Sequence, residues 1–228
     1  SVLNRALLHF KVLKFFVVMG FLKSNAIVVQ TNFVRKGIIA QLPSMKDKIH
    51  QVYSGTPKVF DRSVSIGDWN VASDIGEGFK ILYIAYPTEY KNFDILFGAA
   101  RLAKRKNIKF KFLLTLGVES NNPIHQRFID EYIGMISEYA IEDYVYFIGS
   151  LRNNAEIERS YIFSDVVIHP SFVESFPQTF TEAMQYGKPL ISADLPYARE
   201  IAGDASLFFK PEDPSDLLNA IEKYINNN

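Results

Sequence analysis

The chain has 228 residues, 25 basic and 25 acidic side chains, 48% hydrophobic residues and no cysteine. Balanced charge and high apolar content argue against a disordered chain and against general nucleic-acid binding. The absence of cysteine removes disulfides, thiolate nucleophiles and Cys-based zinc sites, and is compatible with a reducing cytoplasm.

The opening zone is basic: no acidic residue precedes Asp47, whereas Arg5, Lys11, Lys14, Lys23, Arg35, Lys36 and Lys46 do. Within it Phe10 to Leu22 is strongly apolar, but Lys11 and Lys14 interrupt the run, which falls short of the roughly 20 apolar residues of a spanning helix. No small-residue cleavage site follows it cleanly, so it does not read as a signal peptide. Two readings stay open, a buried helix whose partners lie elsewhere and a basic apolar surface resting on an anionic membrane. Ala26 to Gln30 predicts a strand, Thr31 an N-cap for a helix to about Leu42, and Gln51 to Tyr53 another short strand. Residues 61–78 are polar and rich in Gly, Ser and Asp around an isolated Trp69, and predict a connector.

From Lys80 onward strand-like and helix-like segments alternate. Ile81 to Ala85 predicts a strand, followed by a helix from near Asn92 with Phe93, Leu96, Phe97 and Ala100 at helical spacing. Next come a strand over Phe110 to Leu116, a long helix over Pro123 to Tyr139, a strand over Tyr144 to Ile148 and a helix near Ala155 to Phe163. Asp165 to His169 predicts a β-branched strand, and a helix resumes near Pro177, whose fixed φ suits a first turn. Leu190 to Ser192, Pro196 to Ala202, Leu207 to Phe209 and Pro214 to Ile225 then alternate as strand, helix, strand and helix. Repeated βα units with apolar strands imply an α/β fold with a doubly wound parallel sheet. Asn226 to Asn228 reads as a frayed tail.

The stretch from Glu174 to Met184 carries the most functional information. It begins in a loop at the carboxyl end of a strand, the edge where open α/β sheets bind ligands, and continues into a helix N-terminus whose unpaired N–H groups favour phosphate. Two carboxylates, Glu174 and Glu182, flank that anion site and suit hydroxyls, so diphosphate plus sugar is the natural ligand. Pro177 has no N–H, which leaves Gln178, Thr179 and Phe180 as the phosphate donors. His169 ends its strand and reads as a packed histidine rather than a catalyst. His9, His50 and His125 form no ligand spacing with carboxylates, and no Asp-x-Asp pair is present.

Pro170-Ser171, Glu174, Glu182, Ala183-Met184 and the turn Gly187-Lys188-Pro189 before an apolar strand together resemble the family-four glycosyltransferases of GT-B fold. The resemblance covers about the last two-thirds of the chain well and the first third more loosely. It implies a Rossmann-like donor-binding domain over 80–228, a connector over 61–79, and over 1–60 a remnant of a second, acceptor-side Rossmann domain. Two full Rossmann domains need about 200–400 residues, with the resembled family toward the top of that range, so a fragment, a truncated open reading frame or one half of a split enzyme is expected, with the missing N-terminal domain or a partner chain supplying the rest.

What the resemblance implies about residues is specific. Glu182 contacts the ribose hydroxyls and Glu174 the transferred sugar. Lys91, in Tyr86-Pro87-Thr88-Glu89-Tyr90-Lys91-Asn92, neutralises the leaving diphosphate, while Tyr86 stands where arginine is common and leaves one cation missing. Leu151, after Phe147-Ile148-Gly149-Ser150, borders the base. The implied activity is retaining transfer from a nucleotide-diphosphate sugar, used as substrate without a resident metal or other cofactor, to a glycan or lipid-linked acceptor in polysaccharide or lipopolysaccharide assembly. The expected location is the cytoplasm, with peripheral contact at the inner face of the membrane. The alternatives are a non-catalytic module that binds nucleotide-sugar or docks a partner, and, less favoured, a GT-B sugar epimerase.

Overall fold

The computed structural model describes residues 2–55 and 74–226, with side chains from residue 13 onward. Most of the expected connector, Trp69 included, and the last two residues of the tail lie outside the described residues. The chain divides into two compact units, residues 1–55 and 56–228.

The first unit opens with helix α1 (Val2–Lys23), then strand β1 (Ile27–Val29), helix α2 (Asn32–Gln41), a 3-10 helix (Pro43–Lys48) and strand β2 (Ile49–Gln51). The Thr31 hydroxyl caps α2 by accepting from the Val34 N–H at 3.3 Å, satisfying one donor that the first helical turn leaves open. β1 and β2 pair in parallel with Ile27 opposite Ile49. Ile27, Val29, Met45 and Ile49 form a small core, with Phe21, Val34, Ile38, Ile39 and Leu42 packed on it. β2 begins two residues before the expected strand at Gln51. The 3-10 helix feeds directly into it, and its alternation of buried Ile49 with exposed His50 hides it as an apolar run. Leu13, Phe15, Phe16, Val17 and Leu22 of α1 are exposed in this unit, so the buried-helix reading is not met within it. No helix among the described residues is long and apolar enough to cross a membrane.

The second unit holds a sheet of six parallel strands in the order β5-β4-β3-β6-β7-β8. These are β3 (Lys80–Tyr83), β4 (Lys111–Leu114), β5 (Val145–Phe147), β6 (Val166–His169), β7 (Leu190–Ala193) and β8 (Ser206–Phe209). The helices are α3 (Phe93–Lys106), α4 (Pro123–Tyr139), α5 (Asn154–Phe163), α6 (Gln178–Gln185), α7 (Pro196–Ala202) and α8 (Pro214–Ile225). Local chemistry sets the helix starts: Asn122, Asn153 and Asp213 cap α4, α5 and α8 with side-chain oxygens, and Pro123, Pro196 and Pro214 stand at first positions, where no N–H is needed.

The strand order reverses direction of growth between β3 and β6, which makes a crevice at their carboxyl ends. Ile81, Tyr83, Phe112, Leu114, Val166, Ile168 and Ile191 are fully buried and meet Phe93, Leu96 and Phe97 from α3. Gly98 lets α3 approach α8 closely, because a Cβ there would lie 2.9 Å from Pro214 Cγ. β3 and β4 stop short of the expected Ala85 and Leu116. The Ala85 N–H turns to Thr115 Oγ1 at 3.2 Å and the Leu116 N–H to Leu114 O at 2.8 Å, so side-chain and turn hydrogen bonds replace the ladder there.

Candidate functional site

Two loops face each other across the crevice. The loop after β3 contains a 3-10 turn, Glu89–Lys91, and ends at Asn92, whose backbone is left-handed at φ 55°. The loop after β6 runs from Pro170 to Pro177. The Phe172 N–H donates to Tyr90 O at 2.8 Å. The Tyr83 hydroxyl donates to Lys91 O at 2.8 Å and lies 3.3 Å from Ser171 Oγ. The Asn92 amide donates to Pro170 O at 3.2 Å and to Pro211 O at 2.9 Å, so the buried side chain ties both loops to the exit of β8. Asparagine tolerates the left-handed region better than most residues, and here the strain buys a three-way clamp.

The clamp sets Lys91 against Glu174, with Nζ 2.5 Å from Oε1 and both side chains more than four-fifths buried. Burial pushes the Glu174 pKa up, but the facing His169 imidazole, the hydrogen bond from Lys91 and the Lys91 charge outweigh it and hold the carboxyl down at about 2. Glu174 is therefore a permanent anion at neutral pH. His169 at the end of β6 is 2% exposed. Its Nδ1 lies 3.1 Å from Thr179 Oγ1 and its Nε2 3.5 Å from Glu174 Oε1. The latter is at the outer limit of a hydrogen bond, so the imidazole faces the carboxylate without closing on it. Burial lowers the His169 pKa more than the neighbouring carboxylate raises it, so the ring is neutral.

Glu182 sits on α6 behind the loop, and its Oε2 accepts from the Tyr161 hydroxyl at 2.7 Å. Tyr161 is fully buried and stacks on Tyr186 with ring centres 5.0 Å apart and 14° between planes. Burial, then the Glu182 charge, push the Tyr161 phenol well above its ordinary pKa; it is a fixed donor to the carboxylate.

The helix N-terminus is narrower than expected from sequence. The Phe180 N–H donates to Pro177 O at 3.1 Å and its ring is buried edge-on to His169, centres 5.0 Å apart. Gln178 is exposed, and the Thr179 hydroxyl turns inward to His169. Helical geometry gives the N–H groups of Gln178 and Thr179 no intrahelical acceptor.

A cavity of about 280 Å³ opens at the carboxyl ends of β3, β4 and β5, lined by Ile84, Ala85, Tyr86, Lys91, Thr115, Ser150, Leu151 and Ile157. Gly149, at φ 82°, makes the turn that brings Ser150 and Leu151 to it. Tyr86 is 71% exposed and stacks on His125, centres 5.9 Å apart and 26° between planes.

Of the residues singled out in sequence, Lys91, Glu174, Thr179 and Phe180 thus meet around His169, and Lys91 and Leu151 share the cavity. Glu182 and Gln178 line neither grouping. Tyr161, Thr115, Asn92 and the Tyr86–His125 pair carry no sequence signal, because each acts on a residue of a different element. Among the described residues no group of three His, Cys, Asp or Glu could hold a metal ion.

The family model of glycosyl transferases group 1 matches residues 69–228. Among solved structures, Anabaena Alr3699/HepE in complex with UDP and glucose superposes with a TM-score of 0.76 at 19% identity, over 90% of this chain and 54% of that one. A glycosyltransferase from Rickettsia africae ESF-5 gives a TM-score of 0.73 at 18% identity, over 89% and 53%. Sucrose-phosphate synthase from Thermosynechococcus elongatus gives 0.69 at 19% identity, over 90% and 50%. The chain therefore spans about half the length of these solved proteins, and the likeness carries the GT-B fold. A comparison with curated proteins gives no match.

Proposed function

The chain belongs to the group 1 glycosyl transferases, and from that premise we propose that its second unit is the donor site of a retaining enzyme that moves a sugar from a nucleoside-diphosphate sugar to a glycan or lipid-linked acceptor. The observation that carries this reading is the Lys91–Glu174 pair, held at 2.5 Å across the crevice between β3 and β6. A cation for phosphate and an anion for sugar hydroxyls stand side by side where an open sheet takes its ligand.

The roles follow from the chemistry of each group. Negative charge grows on the diphosphate as the glycosidic bond breaks, and Lys91 Nζ stabilises it together with the N–H groups of Gln178 and Thr179. Glu174 accepts from hydroxyls of the transferred sugar. Glu182, oriented by Tyr161, accepts from the ribose hydroxyls. Leu151 and the Gly149–Ser150 turn border the base in the 280 Å³ cavity, and no resident metal enters the scheme. The solved relative bound to UDP and glucose favours a uridine donor. Assembly of a polysaccharide or lipopolysaccharide on the cytoplasmic side is the proposed setting. The exposed part of α1 from Leu13 onward, with Lys14 beside Phe15 and Phe16, rests there on an anionic membrane surface.

Tyr86 in place of a second cation favours a weaker second reading, a unit that binds nucleotide-sugar without turning it over. Calorimetric titration of the chain with UDP-, GDP- and ADP-glucose, beside Glu182→Ala, tests the donor site. Saturable binding of one of them, weakened at least about 10-fold by the substitution, is expected, since a charged hydrogen bond contributes about 1.5–3 kcal/mol. A folded chain that binds none of them removes the proposal. Sugar transfer by the isolated chain would exclude the second reading.

A further inference from the structure

We propose that His169 is a positioning residue for Glu174: with its proton fixed on Nε2 by Thr179, it takes over the Glu174 carboxylate when a donor diphosphate draws Lys91 away. The proposal rests on the donor reading above and concerns how the Lys91–Glu174 pair rearranges to receive the donor.

The ion pair at 2.5 Å engages both groups that the donor needs. A phosphate that binds Lys91 competes with Glu174 for it. Glu174, 17% exposed, would then be an anion with too little water to replace its partner. His169 Nε2 waits 3.5 Å from the same oxygen, and a shift of about 0.7 Å brings it to ordinary N–H···O distance. No other hydrogen-bond partner of Nε2 exists among the described residues. Partner exchange leaves the carboxylate charged and aimed, with acceptor positions for sugar hydroxyls.

Geometry also fixes which nitrogen carries the proton. If Nδ1 held it, Nε2 would turn a lone pair toward an anionic oxygen, and the contact would be repulsive. With the proton on Nε2 the contact is attractive, and the Thr179 hydroxyl, 3.1 Å from Nδ1, then serves as donor to the unprotonated nitrogen. Three rings hold the imidazole edge-on, Phe180 at 5.0 Å, Tyr197 at 6.2 Å and Tyr83 at 6.3 Å between centres. Burial keeps it neutral, so it donates without carrying a charge that would compete with Lys91 for phosphate.

Two measurements on the full chain test this. The first is the His169 tautomer, read without ligand from long-range proton–nitrogen NMR correlations. Nε2–H is expected in the parent and in Thr179→Ser, and a mixture in Thr179→Val. A proton on Nδ1, or on both nitrogens, at neutral pH overturns the proposal whatever the chain binds. The second is the ratio of UDP-glucose affinity to UDP affinity by calorimetry, because Glu174 touches the sugar and not the nucleotide. Thr179→Val is expected to lower that ratio about 10-fold, His169→Phe to lower it similarly, and Thr179→Ser to restore it. An unchanged ratio, including equal losses for both ligands, marks a merely structural role and sinks the positioning function. A parent chain that binds neither ligand removes the donor reading, and this role with it. Binding of UDP-glucose to the parent with an unmoved ratio in the variants removes the role alone.

Discussion

Tyr161 donates its buried hydroxyl to Glu182 Oε2 at 2.7 Å, linking α5 to α6 through a charge-assisted hydrogen bond. Bonds of this type are shorter and stronger than neutral ones. Tyr161→Phe keeps the stacking on Tyr186 but frees the carboxylate to rotate. UDP affinity is expected to fall about 5-fold, with a stability loss of about 1 kcal/mol. Calorimetry and urea unfolding read the two effects, and an unchanged affinity would show that Glu182 needs no orienting partner.

Acid should weaken the fold in two stages. His169 has a folded-state pKa below its usual 6.5, so stability present above that value is lost as pH falls and the unfolded chain gains the proton. Glu174 is held at about 2 against an ordinary 4.5; its contribution is full above 4.5 and disappears as pH drops toward 2. Allowing for partial exposure, Glu174 supplies on the order of 2 kcal/mol. Lys91→Ala removes its main cation, and the acid loss should then begin at higher pH. Chemical unfolding across pH 2–8 measures both stages, and a profile identical to the parent's would contradict the assignment.

Gly98→Ala should destabilise the second unit despite alanine's higher helix propensity. The added Cβ would meet Pro214 Cγ at 2.9 Å and Cβ at 3.1 Å, and a proline ring cannot swing aside. Overpacking of this kind costs about 1–3 kcal/mol, more than the roughly 1 kcal/mol gained from propensity. Thermal unfolding of the variant decides which term wins.

Binding to anionic vesicles should depend on α1. Phe15 and Phe16 are 60% and 65% exposed beside Lys14, and an apolar patch flanked by lysine suits an anionic interface. The double change Phe15→Ser and Phe16→Ser should reduce sedimentation with phosphatidylglycerol vesicles several-fold, and Lys11→Glu with Lys14→Glu should do the same. Neutral phosphatidylcholine vesicles should bind weakly throughout. Undiminished binding by both variants would place the contact elsewhere or dismiss it.

The second unit was largely legible in its residues. Pro123 and Tyr139 bound α4, and Pro214 and Ile225 bound α8, as caps and helical periodicity predict. Strands β3 and β4 are shorter than their sequence predicts, since apolar composition continues past Tyr83 and Leu114 while the regular pairing does not. In the first unit β2 lies two residues before the strand its sequence predicts, because a three-residue strand with an exposed middle residue gives no alternation long enough to detect. At the site, Lys91 and Glu174 are each legible as candidates, yet nothing along the chain foretells that they pair.

The sequence by itself determined the helices, the apolar strands and the ordered stretch from Pro170 to Leu190, because caps, periodicity and turn residues act within a few positions. Only the tertiary structure decided that Lys91 meets Glu174 at a separation of 83 residues, that Tyr161 holds Glu182 at 21, and that Thr179 reaches back to His169. These meetings depend on which strands become neighbours in the sheet. Strand order is settled by the burial of whole elements against one another, and no local residue pattern encodes it.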